Sequence, residues 1–250
     1  MTNIKMALRI IKLMLQETSM QTKIMDGNKV KHSVLERLKK QIVEIKAEKN
    51  ITLGLAVILV GDNPASKAYV GMKKKACEQI GVRSFEYKLP DSVTKNELMS
   101  LITSLNNDDA VHGILLQLPL PDHLDENMFL NAISPEKDVD GFHPVNVGKL
   151  LLGLPTFKSC TPYGVCELMS YYDIDPAGKH VVIIGRSNIV GKPLGAMLVQ
   201  KASPGNATVT ICHSRTADLP SVTRQADILI AAIGVPHFVT PTMVKEGAIV

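Results

Sequence analysis

Residues 54–61 read Gly-Leu-Ala-Val-Ile-Leu-Val-Gly, an apolar run with no polar residue alternating through it. A strand with one face in water alternates. One buried on both faces does not, so this run belongs in a sheet covered by helices on either side. Asn63-Pro64 follows and opens a helix, with Pro64 at a first-turn position where its missing N–H has no partner to lose. Further runs at Arg83–Leu89, Val111–Leu116, His180–Ile184, Ala207–Cys212 and Ala226–Ala232 read as strands. Helices are expected over Val30–Lys49, Pro64–Ile80, Glu126–Ile133, Asn146–Leu152 and Pro162–Tyr172. The first carries an apolar stripe of Val34, Leu35, Leu38, Ile42, Val43 and Ile45. Another starts at Thr94, with Glu97 completing a capping box and Leu98, Leu101, Ile102 and Leu105 on its apolar face. Lys23–Gly27 reads as a short strand and turn, Gly153–Pro162 as a linker at a domain edge, and Gly247–Val250 as the start of another strand. The class is α/β.

Composition narrows the partners. The 250 residues suffice for one large domain or two modest ones. With no Trp and only five Phe and five Tyr, the core volume must come from aliphatic residues, as in sheets covered on both faces. A net charge of +4 is too small to argue for nucleic acid. Cys77, Cys160, Cys166 and Cys212 form no C-x-x-C pair and complete no zinc spacing, so no metal is expected. They read as reduced core or near-site thiols of a cytoplasmic protein. No apolar run approaches the ~20 residues that span a bilayer, so no membrane partner is expected. Met1–Ser19 places Lys5, Arg9 and Lys12 on one helical face. It reads as an extension upstream of Met20 in preference to an organellar targeting helix.

Chemistry-bearing residues cluster after the strands. Tyr69 and Lys73 are four apart on the Pro64–Ile80 helix and share a face. A phenol beside an ammonium at a strand-to-helix mouth is an acid/base pair, and a partly buried Lys can trade protons near neutral pH. Lys73, Lys74 and Lys75 read equally well as a solvated charge run. Gln117 sits at the carboxyl end of a strand, where ligands bind in open α/β sheets; Leu118-Pro119 continue the turn. Asp138 and Asp140 precede Gly141 in a loop that either faces a ligand or makes side-chain turns of its own.

The His180–Ile184 strand runs into Gly185-Arg186-Ser187-Asn188-Ile189-Val190-Gly191 and then a helix. Glycines there let a phosphate approach backbone N–H groups and the positive helix end, although the spacing is not G-x-G-x-x-G and simple turn chemistry also explains it. The strand ending at Cys212 meets no acidic residue until Asp218. Arg186, Ser214 and Arg215 would instead meet a 2′-phosphate, which favours NADP over NAD. Gly234 and Pro236 form a tight turn after the following strand.

Four blocks, V-G-D-N-P-A-S-K-A-Y-V-G-M-K-K-K-A-C, Q-L-P-L-P, P-E-K-D-V-D-G-F-H-P-V-N-V-G and G-R-S-N-I-V-G-K-P, occur in this order. Together they resemble the bifunctional methylenetetrahydrofolate dehydrogenase/methenyltetrahydrofolate cyclohydrolase family, from about Met20 to Val250. The resemblance implies two α/β domains with a cleft between them: a folate-binding catalytic domain over 20–145 and a Rossmann-like NADP-binding domain over 146–250. It implies Lys73 as the central acid/base group, Tyr69 against the folate rings, Gln117 bonded to Lys73, and Asp140 on the pterin N–H groups. Leu118 and Pro119 would contact substrate, and Gly185, Arg186, Ser187, Ile189 and Gly191 would line the dinucleotide. It also implies a cytoplasmic homodimer that interconverts tetrahydrofolate one-carbon derivatives for purine biosynthesis. The family's nucleotide-binding sheet continues beyond the point where this sequence stops, so a further carboxyl-terminal segment is expected. Rivals are a monofunctional member, and a regulatory protein that senses NADP without turnover and has no need of Tyr69, Lys73, Gln117 and Asp140 together.

Overall fold

The computed structural model describes residues 22–250, so the extension read over residues 1–19 lies outside the described residues. Residues 22–26 are irregular, not the expected strand. Asp26 ends that segment by accepting the backbone N–H of Asn28, and helix α1 (Gly27–Lys49) begins there. This helix buries Val30 and Leu35, whereas Val43 is 61% exposed and falls off the stripe assigned to it. Periodicity alone cannot tell which shoulder of an apolar stripe meets a neighbour.

Two three-stranded parallel sheets follow, built to one plan. In the first, β1 (Gly54–Val60) lies between β2 (Arg83–Leu89) and β3 (Gly113–Leu116), with Leu55 opposite Ser84 on one side and Gly113 on the other. Ala56, Ile58 and Val60 face one way and pack with Leu98, Ile102 and Phe129. Val57 and Leu59 face the other way and pack with Val70 and Leu115. Both faces of β1 are dry, which is why its sequence does not alternate. The covering helices are α2 (Pro64–Ile80), α3 (Lys95–Asn106) and α4 (Glu126–Ala132). Asn63 caps α2 through the N–H groups of Ala65 and Ser66, and Thr94 and Glu97 form the capping box on α3. Phe129 on α4 is fully buried, so truncating it to Ala would cost about 3–5 kcal/mol.

In the second sheet β4 (His180–Ile184) lies between β5 (Thr208–Cys212) and β6 (Ile228–Ala231). Val181 and Ile183 pack against Leu194, Leu198 and Met169, and Val182 and Ile184 against Leu229 and Met243. Its helices are α5 (Pro144–Leu151), α6 (Cys160–Tyr171), α7 (Gly191–Leu198) and the short α8 (Leu219–Thr223). Helices α5 and α6 each start two residues before their expected first residue; His143 caps α5 through the N–H of Val145, whereas Ser159 stands at the N-cap position of α6 without a side-chain cap bond. Residues 247–250 do not make the expected strand; Ile249 forms an isolated parallel bridge with Ile228.

The two halves also touch away from the chain crossover. The Asp26 N–H donates to the Tyr172 hydroxyl at 2.7 Å, and Arg37 on α1 pairs with Glu167 on α6 at 2.9 Å.

Candidate active site

In each sheet the first strand is central and the next two flank it, so the strand order reverses beside the first strand. The crevice at the carboxyl ends of such strands is where ligands bind. At that end of the first sheet, α2 presents Tyr69, which is 57% exposed, and one turn later Lys73, which is half-buried. Lys74 and Lys75 are exposed, so the charge run is real for them and not for Lys73. The Lys73 ammonium donates to Gln117 Oε1 at 3.1 Å. The Gln117 amide nitrogen in turn donates to the Leu118 carbonyl at 2.7 Å, which leaves its oxygen turned to Lys73.

Asp140 completes the polar end of the cleft. Burial pushes its carboxyl above the ordinary carboxylate range; Lys73 opposes the shift and Asp138 reinforces it. Asp138 does not line the cleft. It is 2% exposed and accepts the His143 backbone N–H and the Asn146 amide. The acidic pair therefore divides into one buried carboxylate and one facing the cavity.

The cleft holds about 1040 Å³ and is bounded by Tyr69, Lys73, Gln117, Leu118, Asp140 and, from the second half, Ile189. Pro119 is exposed beside it and does not line it. Of the four cysteines expected as core or near-site thiols, Cys160 is the one at the polar end of the cleft, a site role its sequence position does not single out. It opens α6, lines the cleft, and its thiol reaches Asp140 Oδ1 and the Val139 carbonyl at 3.6 Å. Burial, followed by the neighbouring Asp140, pushes that thiol up to about 11, so it stays protonated and acts as a donor.

The dinucleotide candidates lie at the carboxyl edge of the second sheet. Gly185–Val190 joins β4 to α7, Ser214 and Arg215 follow β5, and Gly234 and Pro236 follow β6. Gly185 N–H donates to the Cys212 carbonyl, which ties the first two loops together. Ser187 Oγ accepts the N–H groups of Val190 and Gly191, folding the loop onto the helix start. A Cβ on Gly191 would strike the Gly185 carbonyl, so this approach requires glycine. Arg186, Ser214 and Arg215 are exposed. Asp218 caps α8 through the N–H of Ser221, and the Ser221 hydroxyl, followed by that N–H, holds its carboxylate below the usual range, so it is turned to the helix start and not to a ribose. A glycine cradle, an exposed arginine pair and no free acid fit a phosphorylated dinucleotide.

A two-domain α/β protein with a lysine–amide cleft beside a glycine-lined helix start is the frame of a dinucleotide-dependent enzyme. Models of the tetrahydrofolate dehydrogenase/cyclohydrolase catalytic domain and NAD(P)-binding domain match residues 25–140 and 159–250, and the chain belongs to this family. The bifunctional protein FolD of Dehalococcoides mccartyi is 52% identical over 231 residues, covering 92% of this chain and 78% of that relative. The crystal structure of the bifunctional FolD dehydrogenase/cyclohydrolase from Campylobacter jejuni superposes with a TM-score of 0.86 at 51% identity, covering 90% of this chain and 79% of that one. The dehydrogenase-cyclohydrolase of Trypanosoma brucei, solved with NADP and an inhibitor, superposes with a TM-score of 0.84 at 35% identity, covering 91% and 77%. Among the described residues no helix is long and apolar enough to cross a membrane.

Proposed function

We propose that the chain oxidises 5,10-methylenetetrahydrofolate with NADP⁺ and hydrolyses the resulting 5,10-methenyltetrahydrofolate to 10-formyltetrahydrofolate in the one cleft. The observation that carries this reading is the Lys73–Gln117 hydrogen bond beside Asp140, in a cavity whose far wall includes Ile189 of the dinucleotide loop. Bound NADP⁺ supplies the hydride acceptor. The protein's own groups hold the substrate and manage protons. Tyr69 lies against the pterin, and ionised Asp140 accepts its N–H groups. Leu118 packs beside it, and Pro119 flanks the turn. In the second step, water adds to the methenyl carbon and one carbon–nitrogen bond opens. Lys73 takes the proton from water and returns it to the leaving ring nitrogen, with Gln117 holding the ammonium in place. Gly185, Arg186, Ser187, Ile189 and Gly191, with Gly234 and Pro236, cradle the dinucleotide, and Ser214 and Arg215 meet its 2′-phosphate.

The chain divides near residue 145 into a folate-binding part and an NADP-binding part. The working form is a cytoplasmic homodimer joined through the second part, and its formyl product serves purine biosynthesis. A two-wavelength assay tests the chemistry. With methylenetetrahydrofolate and NADP⁺ supplied, NADPH should appear with little methenyl compound accumulating. Stoichiometric methenyl accumulation would leave a dehydrogenase alone, and bound NADP without any NADPH would leave a sensor.

A further inference from the structure

The loop that carries Asp140 is met from the cleft side by the Cys160 thiol, and is held from behind by residues that do not reach the cleft. Its first side is pinned to the sheet, where the Ile114 N–H donates to the Lys137 carbonyl at 2.7 Å, and is closed on itself by the Asp138 N–H, which donates to the Ser134 carbonyl at 3.0 Å. Its second side is pinned by a buried polar chain. Asp138 Oδ2 accepts the His143 N–H at 2.8 Å and the Asn146 amide at 2.9 Å. Asn146, also 2% exposed, gives its amide to the Pro135 carbonyl as well, at 2.9 Å. Its Oδ1 accepts the Thr156 hydroxyl at 2.8 Å. The chain therefore runs from the acidic loop to the segment between α5 and α6. That segment touches the loop again at Gly141, whose φ is +65° and where a Cβ would stand 2.9 Å from Phe157 O and Ser159 N.

A buried carboxylate and a buried amide are stable only when their donors and acceptors are paired, so each link fixes the next. Thr156 is the outermost link and does not line the cleft. We propose that Thr156, Asn146 and Asp138 are positioning residues for Asp140, so that the aim of the substrate-binding carboxylate is set from the segment between α5 and α6, at the start of the nucleotide-binding part. The proposal rests on the reading of Asp140 as the folate anchor. Its consequence is a separation of effects: weakening the chain should loosen folate and leave the dinucleotide and the Lys73 chemistry intact.

Thr156→Val removes the hydroxyl donor at nearly constant volume, and Thr156→Ser keeps it. For both variants, and for Asp140→Asn, KM and kcat would be measured for methylenetetrahydrofolate together with KM for NADP⁺. Thr156→Val should raise the folate KM about tenfold with kcat and the NADP⁺ KM near their original values, the pattern of lost uniform binding. Thr156→Ser should restore the folate KM. An unchanged folate KM in Thr156→Val, where Asp140→Asn raises it, overturns the positioning role while leaving the anchor. A parallel rise in both KM values overturns it in favour of a merely structural role. An unchanged folate KM in Asp140→Asn overturns the anchor and the proposal with it.

Discussion

The two sheets have the same strand order and put their candidate sites at the same edge, yet they use opposite materials. The first sheet delivers side chains: Lys73 from the helix after its central strand, Gln117 from the end of a flanking strand, Asp140 from the loop beyond. The second delivers backbone at its centre, a loop from Gly185 to Gly191 whose hydroxyl is spent on its own N–H groups, and keeps side chains for its rim, where Arg186, Ser214 and Arg215 are exposed. Proton management needs a titratable group held in a fixed place. Phosphate binding needs N–H groups and room, which side chains would fill. One topology therefore serves two chemistries, and the difference lies in whether a Cβ is required or forbidden.

Two substitutions test that contrast at its strongest. Lys73→Met removes the group whose position the first sheet exists to set. Hydrolysis of supplied methenyltetrahydrofolate, followed by loss of its absorbance, should fall by about 10²–10⁴-fold, while NADP⁺ binding holds. Normal hydrolysis would take Lys73 out of the mechanism and leave the first edge without its central group. Gly191→Ala does the reverse. Its added methyl would meet the Gly185 carbonyl, and relieving that overlap costs about 1–3 kcal/mol, so the NADP⁺ KM should rise roughly tenfold to hundredfold. Hydrolysis of supplied methenyltetrahydrofolate should be retained. If it fell in step, the two edges would not be separable.

The same contrast decides what could be read from the sequence. The central strands were legible because both of their faces are dry, so their apolar runs have no helical rival of that length. Pro64 and the Thr94–Glu97 box marked helix starts because capping is local chemistry. Val43 was misassigned because only the packed structure shows which side of α1 has a partner. Residues 23–27 and 247–250 were overread as strands, since a few β-formers beside a glycine carry no information on whether a pairing edge exists. The start of α6 at Cys160, two residues before Pro162, carries no local signal, since Ser159 makes no side-chain cap bond, and nothing in the sequence tells which of the four cysteines lies near the site. Lys73 and Gln117 are 44 residues apart, and no periodicity brings them together; the family resemblance did. The Asp138–Asn146–Thr156 chain was beyond reach for the same reason, and the acidic pair looked symmetrical until burial separated its members.

Asp140 gives the smallest effect and the most discriminating one, because function and stability should move in opposite directions there. Burial raises its carboxyl in the folded protein, so the folded state holds that proton more tightly than the unfolded chain does. Stability from such a group is fully present below the unfolded carboxylate value, about 3.9, and is lost as pH rises through the raised folded value. Wherever Asp140 is ionised it is thus a liability to the fold, retained for what it binds. Asp140→Asn cannot ionise, so it should melt above the unaltered protein at pH 7, and the gap should close as pH falls towards 4. A gain of 2–4 °C would correspond to about 1 kcal/mol in a protein of this size. Folate binding should weaken in the same variant. A melting temperature lowered at pH 7 would mean that Lys73 outweighs burial and that the carboxylate belongs to the scaffold. The first edge would then be built as the second is, with its chemistry supplied by shape and little by a strained charge.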